Sequence, residues 1–127
     1  MYRALRRSAL PVFLGLLAVF APPVSAQQAL LDCSVGPLSK TYGSTPWLVY
    51  ACSDGKSVVV MSAPGSPAAP FYFILFQKEG RYVVGGEGTG PKNVTDRAYA
   101  ELVRLSEAEI AALITAARQR GPGGSHP

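Results

Sequence analysis

Histidine is the side chain that most often moves protons near neutral pH. This chain has one, His126, inside the glycine- and proline-rich run 121–127 (GPGGSHP). Ser-His-Asp and Cys-His catalysis both need a base held in register with the nucleophile, and a histidine in such a tail has nothing to hold it. One tail histidine, two cysteines and no Asp/Glu cluster at ligand spacing give neither zinc nor calcium a coordination set. No metal, no cofactor and no enzymatic activity are therefore expected. Among the eight acids, Asp54 is accounted for by a turn and Glu107 and Glu109 by the first turn of a helix. Glu87 has no such structural duty. It lies in the glycine run 85–91 (GGEGTGP), close to Thr89. These two are the candidates if the 85–92 loop binds a small molecule or carries chemistry. The run has neither G-x-x-x-x-G-K-[ST] nor G-x-G-x-x-G spacing and does not open a helix after a parallel strand, so a phosphate cradle is not expected.

Aromatic residues carry the other signal. In 71–77 (FYFILFQ), Phe71, Phe73 and Leu75 point one way and Tyr72, Ile74 and Phe76 the other, so both faces of that strand are apolar. Residues 58–61 (VVVM) repeat the pattern. A sheet wetted on one side alternates apolar with polar, so something must cover the second face here. One candidate is the chain itself, with residues 27–45 drawn across by a disulfide. The other is a partner protein, a second copy or an apolar ligand, with Phe71, Tyr72, Phe73 and Phe76 as the interface.

The elements that position these residues begin after an export signal. Arg3, Arg6 and Arg7 precede a twelve-residue apolar run, 10–21 (LPVFLGLLAVFA). That run is about half of the ~20 residues a membrane-spanning helix requires. Pro22 and Pro23 follow, then Val24-Ser25-Ala26 with small residues at the −3 and −1 positions, so residues 1–26 read as a cleavable signal peptide. Cleavage leaves no permanent membrane anchor and an exported protein, periplasmic or secreted. The net charge of +4 is also mostly removed, since taking three arginines from twelve basic residues leaves nine against eight acids. Nucleic-acid binding loses its electrostatic footprint accordingly. In an oxidising compartment Cys33 and Cys52 allow one intramolecular disulfide, contributing about 3 kcal/mol.

Residues 27–120 are enough for one small domain. Residues 27–45 carry turn signals at Gly36-Pro37 and Gly43-Ser44 and predict irregular chain, with one short strand or helical turn near 29–35. Strands are expected over 47–52 (WLVYAC), 57–62 (SVVVMS), 71–77 and 81–85 (RYVVG). Asp54-Gly55 supplies a two-residue hairpin turn, the three prolines of 63–70 (APGSPAAP) a connection, and the glycine run the end of the sheet. The period then changes to 3.6. A first helix is expected behind a Thr95 or Asp96 cap with Tyr99, Leu102 and Val103 on one face. A second opens on Ser106, where Ser106 and Glu109 form a capping box and Ile110, Leu113, Ile114 and Ala117 form a stripe. The fold class is α+β: a four-stranded antiparallel meander, a C-terminal helical pair on one face, one disulfide, and a disordered tail at 121–127.

At 50–60 (YACSDGKSVVV) the chain resembles the Tyr-x-Cys-x-x-Gly hairpin of small periplasmic C-type lysozyme inhibitors. That resemblance implies a secreted β-rich protein that blocks a muramidase. The inhibitory residues of the family lie in a later Ser-Gly-x-x-Tyr segment that this chain does not contain, so none is carried over. Together these readings describe an exported, non-enzymatic binding or inhibitor-type module, with a ligand-binding protein or enzyme built on Glu87 and Thr89 as the alternative.

Overall fold

The computed structural model describes residues 31–120. The expected signal peptide at 1–26, the residues 27–30 and the tail at 121–127 lie outside the described residues. The described chain is an antiparallel sheet followed by two helices. The sheet has five strands rather than four: β1 (Val35–Tyr42), β2 (Thr45–Ala51), β3 (Val58–Ser62), β4 (Phe71–Lys78) and β5 (Arg81–Gly88), hydrogen-bonded in chain order. The helices are α1 (Lys92–Leu102) and α2 (Glu107–Arg120). No helix among the described residues is long and apolar enough to cross a membrane.

The extra strand is β1, in the segment expected to be irregular. Gly36-Pro37 does not end a strand. It occupies a register irregularity between Val35 and Leu38 on an edge strand, where proline's missing donor is tolerated. Gly43 and Ser44 then form the hairpin, with Tyr42 opposite Thr45 and φ of 61° and 62° at the two central positions. Positive φ at both central residues gives the type I′ turn, whose twist matches that of the strands it joins. Glu79 and Gly80, at 54° and 80°, repeat this device between β4 and β5.

Asp54-Gly55 does not form a two-residue turn. The register closes at Ala51 opposite Val58, with residues 52–57 between the strands. The Asp54 carboxylate organises this loop, accepting from the Lys56 and Ser57 backbone N–H groups at 2.9 and 2.8 Å and from the Ser57 hydroxyl at 2.6 Å. Partial burial opposes ionisation of that carboxyl, but these donors outweigh it and hold its pKa below the usual value.

The glycine run also differs from expectation: Gly85, Gly86 and Gly88 lie in β5. A Cβ on Gly86 would stand 2.9 Å from Phe71 Cε1 and 3.0 Å from Phe73 Cδ1. The missing side chain makes room for cross-strand aromatic rings, and the sheet continues through the run.

One face of the sheet is the core. Trp47, Val49, Val58, Val60, Phe73 and Leu75 are buried there beneath Ala98 and Leu102 from α1 and Ile110, Ile114 and Ala117 from α2. Each fully buried side chain of this size contributes about 1.5–3 kcal/mol. The Trp47 and Phe73 rings meet in a tilted pair 5.2 Å apart. The indole N–H donates to the Tyr42 carbonyl at 3.1 Å, so this buried donor is satisfied.

Helix α1 starts three residues before Thr95, behind Pro91. Thr95 is buried inside the helix instead of capping it, and the inward face is Thr95, Ala98 and Leu102. Tyr99 and Val103 are each 45% exposed. Helix α2 follows its sequence signature. Glu109 N–H donates to Ser106 Oγ at 3.1 Å, Ser106 N–H donates to Glu109 Oε1 at 2.8 Å, and Ile110, Leu113, Ile114 and Ala117 are buried.

Candidate functional site

Both helices pack on the same side of the sheet, and no described element packs against the opposite face. The pairing register places Leu48, Met61, Tyr72 and Glu87 in one row across that open face, Tyr50, Val59, Ile74 and Gly85 in the next, Phe76 opposite Val83 in a third, and Lys78 opposite Arg81 at the end. All of these apolar side chains are exposed or half-buried. Met61 is 42% exposed, Val83 38% and Tyr72 37%. Eight apolar side chains in contiguous rows form an unusual surface for a folded domain.

The four aromatics expected to form an interface divide between the two faces. Phe73 is core. Phe71 stands on the same side, half-buried, with its ring 4.9 Å from that of Phe73. Tyr72 and Phe76 lie on the open face. Strand β2 has the same two-sided pattern, which adds Leu48 and Tyr50; alternation within 45–51 already carried that information. Tracing Met61, Val59 and Val83 into the same rows required the register.

Tyr72 and Glu87, singled out for unrelated reasons, meet as a cross-strand pair. The Tyr72 hydroxyl donates to Glu87 Oε1 at 3.0 Å. That hydrogen bond, followed by the carboxylate's charge, raises the tyrosine pKa above its ordinary value. Glu87 is exposed on β5 rather than enclosed by a loop. The pair borders an open apolar cleft of about 430 Å³ whose other walls are Met61, Pro64, Pro70 and Phe71. Thr89 follows the strand, and its backbone N–H donates to the Pro70 carbonyl at 3.0 Å. The backbone thus ties the 85–92 segment to the proline-rich connection.

At the opposite end, Lys78 and Arg81 are a directly facing pair of cations. Like charges at this spacing repel, and among the described residues neither is within ion-pairing distance of an acid; the ion pair found there is Lys92–Asp96, on α1. Glu87 likewise has no cationic partner among them.

Cys33 and Cys52 are bonded. The backbone of Asp32 also exchanges hydrogen bonds with Ser53, through Asp32 N–H to Ser53 Oγ and Ser53 N–H to the Asp32 carbonyl. These links bring Leu31 to a hollow shared with Ile74 and Phe76 at one corner of the open face. They do not lay residues 31–45 across it, because 35–42 is itself the edge strand. Among the described residues no group of three or more His, Cys, Asp or Glu side chains is placed to hold a metal ion.

Comparison with protein-family models, with curated proteins and with solved structures returned no match for this chain.

Proposed function

We propose that the protein is an exported, non-enzymatic binding module, periplasmic or secreted, that works through the open face of its sheet. The observation that carries this reading is the set of rows formed by Leu48, Tyr50, Val59, Met61, Tyr72, Ile74, Phe76 and Val83, apolar and uncovered by any described element. Leaving such a surface in water forgoes hydrophobic stabilisation that a partner would recover. The alternative, a small-molecule site or enzyme on Glu87 and Thr89, asks for an enclosed carboxylate, and Glu87 is solvent-exposed. The resemblance of residues 50–60 to C-type lysozyme inhibitors adds a muramidase to the targets to assay.

The test is capture from an envelope extract by the exported protein and by Met61→Asp and Val83→Asp variants. Both changes lie on the open face and leave the core intact, unlike a change at Phe73. Proteins retained by the wild type and lost from both variants support the reading; identical recovery by all three would sink it. The mass of the exported chain checks processing after Ala26.

A further inference from the structure

We infer that the partner of the open face is a second copy of this chain, packed face to face about a two-fold axis that runs across the strands. This rests on the reading of that face as a binding surface and assigns its occupant from the charges at its two ends.

The face has an acidic end and a basic end. Glu87, beside Tyr72, closes one; Lys78 and Arg81 close the other, six residues away along both β4 and β5. At ~3.4 Å per residue the ends are ~20 Å apart. The rows between them are apolar; Asp54 and Lys56, of opposite sign, line the corner hollow beside Ile74 and Phe76, and Glu79 lies in the turn that joins Lys78 to Arg81. A two-fold axis crossing the strands at the level of the Leu75–Val84 pair reverses the second sheet end for end. Glu87 then lies over Lys78 and Arg81 of the second copy, and the reverse contact forms at the other end. Ile74 lies over Phe76 of the second copy, and Gly85 leaves room for its Val83. An axis along the strands would instead stack four cations at one end, so the charges select the first arrangement. Two sheets packed this way stand ~10 Å apart, within reach of lysine and arginine side chains.

Isologous packing needs one surface that contains its own complement. This face meets that requirement in both parts: an apolar middle and a displaced pair of opposite charges, each without an ion-pair partner among the described residues. The chain's own leader is too short for the role. After cleavage at Ala26 the residues before Leu31 are 27–30, which extend at most ~14 Å and start from a corner of the face. Five strands at ~4.8 Å spacing make the face ~19 Å wide as well as ~20 Å long.

The experiment is sedimentation velocity over micromolar to millimolar concentrations, with the full chain and the exported form, and with circular dichroism melting of each variant as a folding control. Wild type is expected to dimerise, more weakly as salt rises. Glu87→Lys alone and Lys78→Glu/Arg81→Glu alone are each expected to weaken the dimer by about tenfold or more, because each places like charges opposite one another. An equimolar mixture of these two variants is expected to recover dimer, since every facing pair in the mixed dimer is again of opposite sign. A wild type that stays monomeric overturns the inference, as does a mixture no stronger than its components. A hydrophobic dye separates the two readings in the monomeric case. Dye binding lost in Val83→Asp leaves the binding surface standing and removes the second copy; absence of dye binding removes both.

Discussion

Gly43 is placed to report separately on turn geometry and on helix packing. It adopts φ of 61° in the β1–β2 turn, and a Cβ there would stand 2.6 Å from Ala98 N and 2.8 Å from Arg97 C, both in the backbone of α1. Gly80 occupies the corresponding kind of turn between β4 and β5, with φ of 80°, but a Cβ there meets nothing within 4 Å. Alanine at either position incurs the left-handed penalty of about 1–2 kcal/mol. At Gly43 it must also push back a helix held by Ala98 and Leu102 in the core, which adds about 1–3 kcal/mol. Gly43→Ala should therefore cost about 2–5 kcal/mol and Gly80→Ala about 1–2. The unfolded-state effect of losing a glycine is common to both and cancels in the difference. For a domain of this size 1 kcal/mol is about 4–8 °C in Tm. Thermal and urea unfolding of the two variants, with Gly65→Ala as a second control at φ of 76° in open space, measures the difference directly. If Gly43→Ala melts no lower than Gly80→Ala, the close approach of α1 to the turn does not hold.

Further outcomes follow from the same geometry. Reducing Cys33–Cys52, a link of 19 residues in sequence, should lower stability by about 3 kcal/mol in denaturant titrations, and equal midpoints with and without reductant would contradict this. Ser106→Ala removes one side of the capping box and should cost about 1 kcal/mol, read as a lower urea midpoint at unchanged m. Phe73→Ala should cost about 3–5 kcal/mol, whereas Val83→Ala on the open face should change the stability of the monomer by less than about 0.5. Burial, followed by the charges of Glu101 and Glu109, pushes the Tyr42 pKa up to about 12. Its folded value thus exceeds the unfolded value near 10, so the protonated phenol's contribution is intact below about pH 10 and is lost as pH rises toward 12. An alkaline melting series should show stability falling across that window, less steeply in Tyr42→Phe.

Where sequence expectation and structure agree, the information was local. The Ser106–Glu109 box and the 110, 113, 114, 117 stripe need only residues within two turns of one helix, and both formed. Strands β2, β3 and β4 were legible because β-branched and aromatic runs are bounded by turn residues. Where they differ, a distant group decided. Residues 35–42 have weak periodicity and a Gly-Pro pair, yet they form a strand because β2 offers an unpaired edge and α2 packs over both. The run 85–88 looks like a loop by composition but is strand, because Phe71 and Phe73 on the neighbouring strand occupy the space its side chains would need. The first helix begins at Lys92 and turns Thr95 inward, against a core that its own residues do not specify.

The candidate site divides the same way. That β4 is apolar on both faces is a property of a period-2 sequence, and it sufficed to raise the question of a covered second face. Which aromatics belong to that face was settled by the helices, which took Phe73 and Phe71 on one side and left Tyr72 and Phe76 on the other. Alone, the sequence determined the alternating strands, the capped helix, the availability of Cys33 and Cys52 as each other's partner, and the scarcity of acid–base side chains, since each depends on residue type, residue count and near-neighbour spacing. Only the tertiary structure decided that Tyr72 and Glu87 are hydrogen-bonded neighbours and that one sheet face carries acid at one end and two cations at the other. Those relations join residues from different strands, and strand register, which no single segment contains, sets them.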